Sequence, residues 1–204
     1  MSRRVPRLFR LRHGRTFMLL LCSWLAGSAA VAAPATDALD QLMTLLRQRQ
    51  HGHVSFTELH VSSILDRPLE SSGELFYDAP DRLEKRTTKP RPERMVLEKG
   101  QLSFERRHKQ YHVALADVPQ ATPYIEGIRA TLAGDRSALE RVFRIAFEGT
   151  PDQWTLRLTP LDAQVAAEVA SVRIDGSSDV VKTVTVQLVN GDRSITTLGA
   201  ELDP

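Results

Sequence analysis

In Met95-Val96-Leu97-Glu98-Lys99-Gly100-Gln101-Leu102-Ser103-Phe104, two apolar pairs stand on either side of a Lys-Gly dipeptide. Met95 and Leu97 are two residues apart, as are Leu102 and Phe104, so each pair falls on one face of an extended strand. Gly100 supplies the turn between them. Two strands joined by so short a turn run antiparallel.

The same pattern continues outward. Leu75 and Tyr77 mark a strand face upstream, and Tyr111, Val113 and Leu115 mark one downstream. Turn signals at Asp66-Arg67-Pro68, Asp78-Ala79-Pro80, Lys89 to Pro92 and Lys99-Gly100 separate these segments. Strands recurring every 8 to 12 residues or so are what an antiparallel sheet or barrel produces, with meander connections. Val54 and Phe56 begin another alternation whose phase shifts to Leu59 and Val61, which suggests a bulge. Phe143, Ile145 and Phe147 follow, then Trp154, Leu156 and Leu158 before Pro160. The last pair, Val180 to Val189 and Arg193 to Leu198, meets at Asn190-Gly191, a strong hairpin signal.

Helical spacing occurs twice. Leu39, Leu42, Met43 and Leu46 form one stripe in the segment Thr36 to Gln50, with Thr36 or Asp37 as the N-cap and Gly52 as the stop. Between Pro119 and Val142, Tyr124, Ile125, Ile128 and Leu132 form a second stripe that ends at Gly134. Asp135 then reads as the N-cap of a shorter piece carrying Leu139 and Val142. The fold class is therefore α+β, a large antiparallel sheet with two helical insertions.

The amino terminus stands apart from this pattern. Six arginines and no acid precede the short apolar run Phe17 to Leu25, and Ala30-Val31-Ala32 supplies an A-x-A site. This is the form of a secretory signal peptide over residues 1–32, leaving 33–204 as a single domain. The apolar run is too short for a bilayer span, which needs about 20 residues. The whole chain has 27 basic and 25 acidic residues, but loss of the leader leaves 21 against 25. A basic balance therefore gives no reason to expect nucleic acid as a partner. The one cysteine, Cys22, leaves with the leader, and Leu21 before it is too large for a lipoprotein box. A cysteine-free product tolerates an oxidising compartment.

Residues 82–109 hold ten Lys or Arg against four Glu, with Arg106-Arg107-His108-Lys109 the densest part. Such a patch suits an anionic headgroup or an acidic partner. Equally, alternating strands must place something polar outward, and long basic side chains discourage edge pairing. His51 and His53 can share a strand face, yet no third metal ligand accompanies them. His60, His108 and His112 sit in strand-like segments as polar surface residues. A nucleophile elbow, a phosphate loop and a dinucleotide fingerprint are all missing from the sequence, so it points to no enzyme, metal or cofactor.

Four strings, in this order, resemble the LolA lipoprotein-carrier family. They are Ser72-Gly73-Glu74-Leu75-Phe76-Tyr77-Asp78-Ala79-Pro80-Asp81-Arg82-Leu83, Met95-Val96-Leu97-Glu98-Lys99-Gly100-Gln101-Leu102, Trp154-Thr155-Leu156-Arg157-Leu158-Thr159-Pro160 and Val186-Gln187-Leu188-Val189-Asn190-Gly191-Asp192. The resemblance implies an incomplete antiparallel β-barrel, or strongly curved sheet, with a helical lid over an apolar cavity. It implies a periplasmic, monomeric carrier of acylated lipoprotein or another lipid, passing cargo from an inner-membrane donor to an outer-membrane acceptor. The family places an arginine before the proline of the first turn, where it takes part in lid movement; this chain has Ala79 there. A divergent relative with different lipid cargo is the expectation.

On that reading the lining candidates are Phe56, Leu75, Tyr77, Leu83, Met95, Leu97, Phe104, Phe147 and Trp154. The lid candidates are Leu42, Met43, Leu46, Tyr124, Ile125, Ile128 and Leu132. All of them fit an ordinary core as well, since apolar residues are inside by default. Two other classes share the pattern: a lipid- or lipoprotein-sensing adaptor of the same fold, and a small periplasmic hydrolase, which turnover of a generic ester would reveal.

Overall fold

The computed structural model of the protein describes residues 35–107, 109–118 and 122–202. The leader 1–32 with Cys22, the side chain of Thr36, His108 and Pro119 lie outside the described residues. A first helix, α1 (Ala35–Gln48), precedes six strands: β1 (His51–Val61), β2 (Leu69–Asp78), β3 (Arg82–Lys89), β4 (Glu93–Glu98), β5 (Gln101–Arg106) and β6 (Lys109–Ala114). A 3-10 turn (Leu115–Asp117), α2 (Thr122–Leu132) and α3 (Arg136–Val142) follow. The chain then returns to strands β7 (Phe143–Thr150), β8 (Gln153–Pro160), β9 (Val169–Ser177), β10 (Val180–Leu188) and β11 (Arg193–Glu201), with the short α4 (Ala163–Ala166) between β8 and β9.

All eleven strands form one sheet in the order β6-β5-β4-β3-β2-β1-β11-β10-β9-β8-β7. It is two antiparallel meanders joined by the pairing of β1 with β11, so the first strand of the chain bonds to the last. β6 and β7 are left at opposite edges, and the sheet curves without closing. This is the incomplete barrel that the family resemblance implies.

Several local expectations need correction. α1 starts at Ala35, so Asp37 lies inside its first turn instead of capping it. The helix ends at Gln48, and Gly52 belongs to β1, opposite Tyr77. β1 keeps one phase throughout its pairing with β2; the irregularity lies where Val54 and Phe56 face Glu201 and Leu198, placing the extra residue in β11. Glu58 and His60 consequently stay on the face of Phe56, and Leu59 points away from it. Leu115 is buried in the 3-10 turn, not in a strand. β9 went unread in the sequence because its alternation, Val172 and Ile174, follows the alanine-rich Ala166-Ala167-Glu168-Val169-Ala170 without a turn signal. Asp135 caps α3 as expected, its carboxylate accepting the Ala138 N–H.

The concave face carries two packed clusters. One is built from Leu39, Leu42, Met43 and Leu46 of α1 with Leu139, Phe143, Leu156, Leu158, Val172 and Ile174. The other, on the β4–β5 side, contains Leu97, Leu102, Leu115 and Ile125. α1 can lie this close only because α2 ends at Gly134, where φ is +60° and a Cβ would stand 2.1 Å from the Met43 carbonyl oxygen. Arg47 closes the junction by donating to the Gly134 carbonyl at 2.8 Å.

The convex face has its own anchor. Glu84 of β3 is 1% exposed and accepts hydrogen bonds from Arg82, Arg86 and Arg94. Arg86 also lies over the Phe76 ring, with its guanidinium 4.2 Å from the centroid. Burial alone would raise the Glu84 pKa; hydrogen bonds from Arg94, Arg86 and Arg82 overcome that and hold it at about 2. Arg106 pairs with Glu93, and Lys85 turns to the concave side. Half of the ten basic residues of segment 82–109 are thus engaged within the fold.

A carboxylate whose folded pKa lies below its unfolded value stabilises the fold above the unfolded value, near 4.5, and loses that contribution as pH falls through the folded one. Glu84→Gln is therefore expected to cost about 2–3 kcal/mol at pH 7. In denaturant titrations at a series of pH values, the gap to wild type should shrink below about pH 4.5 and vanish near pH 2. A gap that stays constant with pH would contradict the assignment.

Candidate functional site

The two clusters leave the middle of the concave face unfilled. Between them lies a cavity of about 630 Å³, within the range of small-molecule sites. Its floor follows β1 from Gly52 to His60, a path of roughly 25 Å at strand rise. One wall is Leu75, Tyr77, Leu83, Met95, Leu97 and Leu102; the other is Ile174, Val181, Val184, Val186, Leu188 and Leu198. Tyr124, Ile125, Ile128, Thr131 and Leu132 of α2 form the roof.

The roof is a consequence of connectivity. β6 and β7 occupy opposite edges, so the chain joining them must cross the sheet, and α2 and α3 lie in that crossing. α2 turns its apolar stripe toward the sheet, and the sheet's alternating side chains supply the apolar floor.

The sequence candidates separate cleanly. Leu75, Tyr77, Leu83, Met95 and Leu97 line the cavity, and Tyr124, Ile125, Ile128 and Leu132 roof it. Leu42, Met43 and Leu46 do not: they are fully buried in the larger cluster, so α1 is a core element and not part of a lid. Trp154 and Phe147 also belong to that cluster, Trp154 donating from Nε1 to the Ser178 carbonyl at 2.9 Å. Phe104 packs against the smaller cluster, and Phe56 is buried beneath the Lys85 ammonium. The reason is the same in each case. A strand face shows which way a side chain points, but whether a helix fills the space above it depends on the tertiary arrangement.

The sequence reading missed the whole β9–β11 wall and every charged lining group. Glu58, His60, Lys85, Ser194 and Thr196 line the cavity, although His60 was expected at the surface. Strict alternation along β1 carried the information: Val54, Phe56, Glu58 and His60 share one face. Glu58 accepts hydrogen bonds from Lys85 Nζ, from Ser194 Oγ at 2.7 Å, from Ser71 Oγ at 3.3 Å and from Thr196 Oγ1 at 3.4 Å. Burial pushes the Glu58 pKa up, and the charge and hydrogen bond of Lys85 with the two serines bring it below the ordinary value. Lys85 reaches Glu58 across β2, past Gly73, which carries no side chain to block it and where a Cβ would stand 1.9 Å from the Arg86 carbonyl oxygen. Tyr77 is 6% exposed, and its hydroxyl has no hydrogen-bond partner among the described residues. Burial raises its pKa.

The other histidines among the described residues lie elsewhere. His51 and His53 contact Asp78 and Glu74, with His53 stacked on Phe76 at 4.2 Å. His112 meets Ser103 Oγ at 2.9 Å. At the His60 end of the cavity, the β1–β2 and β10–β11 loops are tied together by Asp192, which accepts from Ser62 Oγ and the Ser63 N–H. These loops and the start of β2 expose apolar side chains: Ile64 is 89% exposed, and Leu65, Leu69 and Val189 are also out in solvent.

Several solved structures are similar to this chain. A DUF1329 family protein from Desulfovibrio piger superposes with a TM-score of 0.50 at 8% identity, covering 83% of this chain and 93% of that one. The LolA superfamily protein NE2245 from Nitrosomonas europaea gives 0.45 at 11% identity, over 85% and 95% of the two chains. The lipoprotein LppX from Mycobacterium tuberculosis gives 0.45 at 9% identity, over 83% and 96%. No curated protein matches the sequence. Residues 29–203 match the family described as outer membrane lipoprotein carrier protein LolA-like, and a match over that span means that the chain belongs to this family.

Proposed function

We propose that this protein is a periplasmic carrier that shelters the acyl chains of a lipoprotein, or of another lipid, in the cavity beneath α2. The supporting observation is the apolar cavity itself, roofed by a single helix whose inner face offers Tyr124, Ile125, Ile128 and Leu132. Burying a methylene is worth about 0.8 kcal/mol, so a chain of roughly 16 carbons gains on the order of 10 kcal/mol at most. Part of that gain is spent in displacing the roof residues from their own apolar contacts. Cargo and α2 compete for the same surface, which keeps binding reversible.

On this reading residues 1–32 direct export and are removed, and 33–204 act as a single monomeric carrier domain moving between an inner-membrane donor and an outer-membrane acceptor. The chemistry asked of it is binding, with neither catalysis nor a cofactor. Ala79, where the family has its arginine, removes one means of holding the lid and fits a cargo other than that of the general pathway. The exposed Ile64, Leu65 and Leu69, at the His60 end of the cavity, are the contact through which cargo passes to a lipid surface.

Native mass spectrometry of protein isolated from the periplasm should show co-purifying acyl species. Leu75→Trp, which fills the cavity, should remove them while leaving the melting temperature within a few degrees of wild type. Retention of the same species by the filled variant would place the cargo elsewhere. Ile64→Glu should leave their amount unchanged but slow delivery of a pyrene-labelled lipid to vesicles several-fold. Unaltered delivery would rule out the loop as the exit contact.

A further inference from the structure

The cavity lining is mostly apolar; charged groups stand at its two ends, Arg49 beside Gly52 and Arg193 opposite Val61, and Glu58 and Lys85 lie between them. The Glu58 carboxylate is saturated, with two donors on each oxygen: Lys85 and Ser71 on Oε2, Ser194 and Thr196 on Oε1. Lys85 is not saturated. Its ammonium has three donors. One goes to Glu58, the group lies 4.8 Å from the Phe56 ring centroid, and it has no other hydrogen-bond acceptor among the described residues. The side chain is 25% exposed and lines the cavity.

A second free donor stands on the same wall. Tyr77 pairs with Leu83, two residues along β3 from Lys85, which makes Tyr77 and Lys85 diagonal neighbours on one face of the sheet. The Tyr77 hydroxyl is buried with no partner among the described residues, an arrangement that costs free energy unless something polar arrives. A carrier of bare hydrocarbon has no use for either donor, and a polar group on an apolar wall weakens its hold on a plain chain.

The missing acceptor is defined by charge. Glu58 neutralises Lys85, so the pair offers hydrogen bonds without net positive charge, and an anionic group brought to Lys85 would also meet the Glu58 carboxylate. A neutral acceptor meets no such repulsion. Resting on the carrier reading above, we propose that the Lys85–Glu58 pair, with Tyr77 as a second donor, binds the ester or amide carbonyls that join acyl chains to the polar part of the cargo. The cargo is then an acyl ester or amide lipid held with its linkage inside the protein, and Glu58 acts as a positioning residue that aims the Lys85 ammonium.

The test compares two ligands that differ only at the linkage: dipalmitoylglycerol and its diether analogue, each displacing a pyrene-labelled hydrocarbon from the full mature chain. Wild type should bind the diester about tenfold more tightly, the difference expected from one good hydrogen bond. The double variant Glu58→Gln/Lys85→Met, which leaves no lone charge behind, should bind both ligands as wild type binds the diether. Tyr77→Phe should lose part of the preference. Equal wild-type affinity for diester and diether would overturn the proposal while leaving the carrier reading intact, as would palmitate binding more tightly than the diester. Failure of every ligand, including the pyrene probe, would instead overturn the carrier reading. The wild-type comparison decides even where the double variant does not fold.

Discussion

The pairing of β1 with β11 is the constraint on which the rest of the molecule depends. It bonds the first strand to the last, so that two local meanders become one eleven-stranded sheet. The strands that would otherwise be neighbours in sequence, β6 and β7, then become the two far edges. The connection between them has to cross the sheet, and connections in compact folds run over a face and do not thread through it. α2 is therefore held above the concave surface by topology before any side-chain contact is considered.

Packing then divides the surface beneath it. α1 and α3 fill the β7–β10 half with large aliphatic groups, and Leu97, Leu102 and Leu115 close on Ile125 at the β4–β5 side. A single helix between two such supports cannot fill the gap with its own stripe, and a cavity remains. A void this large forfeits dispersion contacts that a solid core would have made. The larger cluster under α1 and the buried Glu84 with its three arginines supply rigidity on either side. The two halves of the domain thus do different work: one is a solid block, and the other is a wall that can tolerate an empty space.

The polar groups follow from the same geometry. A strand with strict alternation has no means of turning one residue away from its face, so Glu58 and His60 enter the cavity with Val54. Taking a carboxylate out of water is costly unless its lone pairs are filled. Neighbouring strands meet that cost with Lys85, Ser71, Ser194 and Thr196. An ion pair that crosses a whole intervening strand requires a small residue beneath it, and Gly73 occupies that position.

Much of this was legible in the amino-acid order. Period-two runs around Lys99-Gly100 and Asn190-Gly191 identify hairpins because side chains alternate and tight turns need their own residue types. The 3.6-residue stripes identify α1 and α2, and the Asp135 cap marks the start of α3. Local rules of this kind depend only on near neighbours, and the sequence contains them in full. It could not say that α1 packs solidly while α2 bridges a gap, because both carry the same kind of apolar stripe. Nor could it show that Glu58 meets Lys85 or that Trp154 faces a filled core, since those facts depend on residues tens of positions away. Which strands pair, and what lies above them, is settled by long-range register, and only the folded chain expresses it.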